Sequence, residues 1–154
     1  MGKAISSLVF QPPKITFLPS KANMIWLTTT NDHPIPAFYI DRQSKITIIF
    51  SHGNAEDLGM IYDGLNEFAR EVCVNVLAYD YEGYGKAGGA PTEQGCYACI
   101  DAAYSFATQT LQIPPEQIVL FGRSIGSGPT CYLAERLHRA QVQLGGMILL
   151  VHML

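Results

Sequence analysis

The sequence predicts an α/β sandwich with a mostly parallel sheet. Two observations carry this prediction: an opening hairpin pattern, and after it a regular alternation of β-branched segments with longer stretches of helical periodicity. Right-handed crossovers between parallel strands place helices on both faces of such a sheet. The 154 residues are 48% hydrophobic, which is enough for one core. We therefore expect one domain over residues 21–154, preceded by a flexible segment over residues 1–20.

Apolar periodicity and turn residues define the elements in order. A hairpin is predicted around Asn31-Asp32, where turn-forming side chains separate two β-rich segments. The predicted strands are residues 24–30, 34–40, 45–51, 74–80, 117–123 and 146–151, and the predicted helices are residues 56–70, 92–110 and 127–140. The last strand is apolar on both faces. We expect it to form an uncovered sheet edge, which favours aggregation.

A serine lies at the apex of a predicted strand-to-helix turn. The strand at 117–123 continues directly into Gly122-Arg123-Ser124-Ile125-Gly126, and a helix-compatible stretch follows. This G-x-S-x-G pattern is typical of a nucleophile elbow, in which a strained backbone exposes the serine and two glycines leave room for the turn. A bare G-x-S-x-G arises by chance in roughly one chain of this length in twenty. The flanking strand and helix therefore carry the prediction that Ser124 is a nucleophile.

A second loop would complete an oxyanion site. The strand at 45–51 ends in His52-Gly53-Asn54-Ala55, and a helical pattern follows. An H-G-x loop upstream of a nucleophile elbow is where α/β-hydrolases place an oxyanion donor. The predicted donors are the N–H of Ile125, at the start of a helix, and the N–H of Asn54 or Ala55. Taken alone, His52-Gly53 is equally compatible with an ordinary turn between a strand and a helix.

Three motifs together resemble one known group of proteins. They are Phe-Ser-His-Gly-Asn-Ala-Glu-Asp-Leu-Gly at 50–59, Tyr-Asp-Tyr-Glu-Gly-Tyr-Gly at 79–85 and Phe-Gly-Arg-Ser-Ile-Gly-Ser-Gly at 121–128. In this order and spacing they resemble the α/β-hydrolase domain-containing protein 17 group, membrane-bound protein depalmitoylases, and its relatives of the Bem46 type. The resemblance implies a three-layer α/β-hydrolase fold and Ser124 as the nucleophile. It also implies that the substrates are S-palmitoylated cysteines of membrane-associated proteins.

The sequence after Ser124 departs from that group. In α/β-hydrolases the acid and the histidine of the triad follow the serine along the chain. The thirty residues after Ser124 contain no Asp, one Glu (Glu135) and two histidines, His138 and His152. Glu135 and His138 are predicted on the surface of the helix that begins at the elbow, and His138 lies roughly 21 Å from Ser124 along its axis. No acid follows His152. We therefore expect a truncated copy that lacks the acid and the base of the triad.

Two further motifs are interpreted as structural. The segment 83–88 fits G-x-G-x-x-G, but Thr92 is the predicted N-cap, so the helix begins too late to bind a pyrophosphate. We interpret these glycines as a loop at the rim of the site and expect no nucleotide and no other cofactor. Cys96-x-x-Cys99 lies inside a predicted helix without a second pair of ligands, which favours core thiols over a metal site. All four cysteines are expected to be reduced, as in the cytosol.

The N-terminus carries a candidate lipidation site. Met1-Gly2-Lys3-Ala4-Ile5-Ser6 fits the N-myristoylation pattern, with Gly2 as the acceptor. One myristoyl chain binds a membrane only marginally, and a second signal is usually needed. The mammalian members of the group carry an N-terminal cysteine cluster, whereas the first cysteine here is Cys73. The alternative is an ordinary terminus in which Gly2 has no role.

Two functions from different classes remain open. One is a serine hydrolase that cleaves esters or thioesters of lipidated proteins at a membrane surface, and the other is a non-catalytic, membrane-tethered α/β module. A net charge of −3 provides no attraction for nucleic acid, and no apolar segment reaches the length of a membrane span. We expect a cytoplasmic protein, peripheral on membranes through its N-terminal lipid, whose substrate is an acylated protein or a lipid ester. Nucleic acid, nucleotide and metal are not expected as partners.

Overall fold

The computed structural model describes residues 8–151, which form a six-stranded mixed sheet with helices on both faces. The strands are β1 (Ile25–Thr28), β2 (Pro34–Ile40), β3 (Thr47–Ser51), β4 (Asn75–Tyr79), β5 (Ile118–Arg123) and β6 (Gly146–Leu150). Their order in the sheet is β1-β2-β4-β3-β5-β6. β2 is antiparallel to β1 and β4, whereas β4, β3, β5 and β6 are parallel to one another. The predicted hairpin and the predicted parallel sheet are confirmed.

Within the described part of the chain, the α-helices that pack on this sheet are α1 (Leu58–Val72), α2 (Glu93–Ser105) and α3 (Ser127–Arg139). α1 begins two residues later than predicted because Asp57 is its N-cap and accepts the N–H of Met60 at 3.1 Å. α2 follows the predicted cap Thr92, so the glycines at 83–88 lie in the loop before it. The predicted helix over 92–110 is not α-helical throughout, since Phe106–Thr110 is a π-helix. Among residues 8–151, no helix has the length and hydropathy that a membrane span requires.

Two apolar cores separate the sheet from its helices. Ile49 and Leu120 belong to the core formed with α2 and α3, whereas Ile48 and Phe50 belong to the core formed with α1. Every residue of β3 and β4 is buried, as expected for central strands covered on both faces. The sheet therefore presents the carboxyl ends of β3, β4 and β5 side by side along one edge.

The four cysteines are free thiols in two environments. Cys96 and Cys99 lie buried in α2, as predicted, and burial raises the pKa of Cys96 to about 12. Cys73 and Cys131 are exposed. Because desolvation disfavours the thiolate, Cys96 and Cys99 act as small apolar groups of the core.

β6 is more exposed than the other parallel strands. Its residues from Met147 to Leu150 are 39% to 46% exposed, so the predicted uncovered edge strand is present. An apolar groove of about 450 Å³ lies beside α1 and reaches Leu150. Its walls include Leu65, Phe68 and Phe121.

Part of the segment predicted to be flexible lies against the domain. Phe10 packs on the core formed with α2 and α3, and Leu18 packs on the core formed with α1. The main-chain N–H of Thr16 donates to the Asp57 carboxylate at 2.7 Å. The segment over residues 9–18 is therefore attached at several points. Gly2, with the rest of residues 1–7, lies outside the described residues.

Candidate active site

Ser124 occupies a strained turn at the carboxyl end of β5. It is exposed, and its φ of 53° lies in the left-handed region that a serine rarely adopts. A Cβ on Gly122 would lie 2.6 Å from the Gly126 carbonyl oxygen, and a Cβ on Gly126 would lie 2.1 Å from the Ser51 carbonyl oxygen. Both positions therefore exclude any side chain. This is the geometry that the G-x-S-x-G pattern predicts.

The turn continues directly into a helix. Ser124–Gly126 forms one 3₁₀ turn, and α3 begins at Ser127. The first N–H groups of a helix have no intrahelical acceptor and lie at the positive end of its dipole. The N–H of Ile125 is one of these groups, next to the Ser124 hydroxyl along the chain.

The loop after β3 lies beside this turn. β3 and β5 are parallel neighbours, and Ser51 is opposite Gly122 in their register. The close approach of Gly126 to the carbonyl oxygens of Ser51 and His52 joins the two connections at the sheet edge. The structure thus brings together the elbow and the H-G-N loop.

The two candidate donors in this loop differ. The N–H of Ala55 donates to Oδ1 of Asn54 at 3.1 Å. The N–H of Asn54 has no acceptor within residues 8–151. Of the two, Asn54 therefore offers the uncommitted main-chain donor.

His52 is fixed in the interior as part of the loop's support. Its ring is fully buried, Nδ1 donates to the Gly53 carbonyl oxygen at 2.9 Å, and Nε2 lies 3.1 Å from Oδ1 of Asp80 without the alignment of a hydrogen bond. The same carboxylate accepts the N–H of Leu58 at 3.1 Å. Burial raises the pKa of Asp80, and the contact with His52 opposes that shift. A fully buried ring, with Nδ1 bonded to the main chain and Nε2 next to Asp80, leaves His52 no role as a base for Ser124.

Three tyrosines to which the sequence assigned no role support this loop and the end of β3 before it. The Tyr79 hydroxyl is hydrogen-bonded to Oγ of Ser51 at 2.6 Å, and the Tyr81 hydroxyl donates to the His52 carbonyl oxygen at 2.6 Å. The Tyr84 hydroxyl donates to Oδ1 of Asn54 at 2.7 Å, and burial raises its pKa to about 12. The only signal in the sequence was the spacing of tyrosines in the motif at 79–85. The role of these tyrosines depends on contacts with residues about thirty positions earlier in the chain.

An ion pair connects the elbow to the loop. Arg123, the residue before the nucleophile candidate, pairs with the Glu56 carboxylate and lies over the Phe50 ring at 5.6 Å. The other oxygen of Glu56 accepts the N–H of Gly53 at 2.7 Å. Glu56 therefore bridges the two connections that flank the candidate site.

Comparison with known proteins agrees with the predicted resemblance. α/β-Hydrolase domain-containing protein 17C of Mus musculus is 43% identical over 101 residues, which cover 66% of this chain and 32% of that protein. Protein 17B of Homo sapiens is 41% identical over 101 residues, which cover 35% of its length. The chain is an α/β-hydrolase-fold protein that resembles the domain-containing protein 17 group. It spans about one third of the length of these curated relatives. The chain matches no family model.

Solved structures show the same α/β-hydrolase fold. An α/β-hydrolase of Vibrio vulnificus superposes with a TM-score of 0.73 at 19% identity, over 80% of this chain and 43% of that one. An esterase of Pyrococcus furiosus gives a TM-score of 0.69 at 21% identity, over 82% of this chain and 52% of that one. The predicted three-layer α/β-hydrolase fold is confirmed for the part of the fold that this chain covers.

The described residues of this α/β-hydrolase fold do not bring a histidine to Ser124. His33 lies 3.2 Å from the Glu82 carboxylate, and His52 is enclosed as above. His138 lies on the last turns of α3, as predicted, far along the helix from Ser124. His152 lies outside the described residues. Residues 8–151 therefore assemble the nucleophile and oxyanion candidates but not a base.

Proposed function

We propose that this chain supplies the nucleophile and the oxyanion site of a serine hydrolase that cleaves acyl esters or thioesters. One observation carries the proposal: Ser124 is exposed at φ 53° between two glycines that admit no side chain. Strained, exposed residues of this kind cluster at active sites. The esterase and hydrolase folds that superpose on the chain agree with this class of reaction.

In the proposed reaction, the Ser124 hydroxyl oxygen attacks the substrate carbonyl carbon and a base accepts the hydroxyl proton. The carbonyl oxygen becomes an oxyanion that accepts hydrogen bonds from the N–H groups of Ile125 and Asn54. Collapse expels the alcohol or thiol with a proton, and water then hydrolyses the acyl-serine. In hydrolases of this motif order the base is a histidine oriented by a carboxylate. Without such a base Ser124 stays protonated, and the expected reaction is slow.

A fluorophosphonate probe tests the nucleophile directly, because it forms a covalent bond with an activated serine. We expect slow labelling of the purified chain at Ser124, mapped by peptide mass spectrometry, and none in Ser124→Ala. Ser127→Ala is the matched control, because Ser127 is three residues further along the chain in α3 and should leave labelling unchanged. Loss of a triad base costs roughly 10⁴-fold to 10⁶-fold in rate. Labelling at other residues alone, or none after prolonged incubation, would contradict the proposal.

The second candidate function is a non-catalytic α/β-hydrolase-like module. It is favoured by the engagement of His33 and His52 elsewhere in the described residues. The same probe distinguishes the two functions, since the module requires that Ser124 be unreactive.

By resemblance, we propose a palmitoylated protein at a membrane surface as the substrate and Gly2 as a myristate acceptor. Lipidated proteins are held at the bilayer, so an enzyme attached to the same surface meets them more often. Metabolic labelling of cells with an alkyne myristate should give a signal that Gly2→Ala abolishes and Ala4→Gly leaves intact. A signal independent of Gly2, or none, would remove the lipid from this proposal.

A further inference from the structure

The side chain of Asn54 is saturated with partners while its main-chain N–H has none in the described residues. Oδ1 accepts the N–H of Gln11 at 2.9 Å, the hydroxyl of Tyr84 at 2.7 Å and the N–H of Ala55 at 3.1 Å. Nδ2 donates to the carbonyl oxygen of Val9 at 2.6 Å. One half-buried amide is thus held by four contacts, three of them from residues at least thirty positions away.

Two of these contacts bind the Asn54 side chain to the main chain of the N-terminal segment. The amide accepts the N–H of residue 11 and donates to the C=O of residue 9. Phe10, between them, packs on the core formed with α2 and α3. We call residues 9–11 the strap.

The N-terminal segment makes a second set of contacts further along the chain, at Thr16. The main-chain N–H and the hydroxyl of Thr16 both donate to the Asp57 carboxylate, which is the N-cap of α1. The chain passes so close that a Cβ on Gly59 would lie 2.8 Å from the main-chain carbon of Thr16. The segment therefore lies against both ends of the connection between β3 and α1.

The loop has a reason to need external support. Ala55 has a φ of 58°, a left-handed conformation without the freedom of glycine. Such a residue persists only where its surroundings hold it in place. An oxyanion donor also has to be positioned within a few tenths of an ångström to be effective.

We infer that Asn54 is a positioning residue, and that the strap fixes its side chain so that its main-chain N–H is held at the oxyanion site beside Ser124. This inference rests on the proposed function, because the positioned group matters only if an oxyanion forms there. The N-terminal segment is then part of the machinery that sets the rate of the acylation step.

A proline at position 11 tests the strap without touching Asn54. Gln11→Pro removes the main-chain N–H that Oδ1 accepts, whereas Gln11→Ala keeps it and is the matched control. Pro12 already follows this position, so the segment tolerates an extended backbone here. Asn54→Ala removes all four side-chain contacts and retains the main-chain N–H. The full chain is used in each case.

Three measurements are made on each variant: hydrogen exchange of the peptide over residues 52–57, thermal unfolding, and the fluorophosphonate constants for Ser124. In Gln11→Pro we expect exchange about fivefold faster and a maximal labelling rate about fivefold slower than in Gln11→Ala, the effect of one neutral hydrogen bond. In Asn54→Ala the loss should be larger, up to the roughly hundredfold effect of losing one oxyanion donor. The probe's apparent binding constant should stay unchanged in Gln11→Pro, and the unfolding temperature should fall by no more than a few degrees, as expected for the loss of one hydrogen bond.

Three other outcomes are possible, and each would contradict one part of the inference. Equal exchange and equal labelling in Gln11→Pro and Gln11→Ala would show that the strap does not hold the loop. Faster exchange with an unchanged maximal labelling rate would show a structural contact without a positioning role. No labelling in any variant, the parent chain included, would overturn the proposed function and the oxyanion role with it.

Discussion

The turn after β5 and the loop after β3 flank the same candidate site, yet they are built in opposite ways. The turn holds Ser124 with two nearby glycines and the start of α3, all within a few residues of the chain. The loop at 52–55 is held by Asp80 and two tyrosines after β4 and by the strap, so its supports come from two distant segments. The nucleophile is thus positioned locally, and its oxyanion partner is positioned by tertiary contacts.

Because of this difference, substitutions in the two regions should have different effects. A change in the turn acts through main-chain sterics, which cannot relax, and should affect folding itself. A change in the loop's supports removes one partner of several, so it should alter the loop while the fold persists.

The largest effect is expected at Gly126, where the two regions meet. Gly126→Ala places a Cβ 2.1 Å from the Ser51 carbonyl oxygen, an atom of the central strand β3. We expect the free energy of unfolding to fall by about 3 kcal/mol and the midpoint of thermal unfolding to fall by roughly 10 °C.

Gly128→Ala is the matched control, because a Cβ there meets nothing within 4 Å. Alanine is also a better helix former, so this variant should be about 0.5 kcal/mol more stable than the parent. Equal stability of the two variants would mean that the turn can accommodate a side chain. The proposed difference between the turn after β5 and the loop after β3 would then be wrong.

A smaller, pH-dependent effect is expected at Asp80 in the loop's support. Burial raises the pKa of Asp80 above the value of about 3.9 in an unfolded chain. Its contribution to stability is therefore fully present below that pH and is lost as the pH rises through the folded pKa. Asp80→Asn keeps an Oδ1 acceptor for Leu58 and does not ionise. We expect its stability relative to wild type to increase from pH 4 to pH 7, by about 1.4 kcal/mol for each unit of raised pKa.

Urea unfolding at several pH values measures this difference. Asp63→Asn serves as the control, since Asp63 is an exposed carboxylate on α1 that pairs with Lys21. This substitution removes a carboxylate that is not buried. A constant or shrinking difference for Asp80→Asn would show that the contact with His52 outweighs burial.

The same contrast explains what could be predicted from the sequence. The elbow was predictable because Gly122, Ser124 and Gly126 encode it within five residues, between a recognisable strand and helix. The N-cap Thr92 and the exposed edge strand β6 followed from equally local patterns. The choice between Asn54 and Ala55 stayed open, because it depends on which N–H finds an acceptor in the folded loop.

The tyrosine contacts and the strap had no local signal. Asn54 is 43 positions from Gln11 and 30 from Tyr84 along the chain. No periodicity links such residues, and the segment at 1–20 was expected to be flexible because it lacks a helical or strand pattern. Contacts of this separation are fixed by the fold as a whole, so only the structure reveals them.

The strap also limits how far Gly2 can lie from Asn54. Val9 is fixed to Asn54, and six residues lie between it and Gly2, so the two ends are at most about 25 Å apart when this stretch is fully extended. An acyl chain on Gly2 would therefore keep Val9, and with it the contact to Asn54, within that distance of the bilayer surface, whatever path residues 2–8 take. If the proposed lipid is present, acyl groups close to the membrane would lie nearer to Asn54 than acyl groups presented further out.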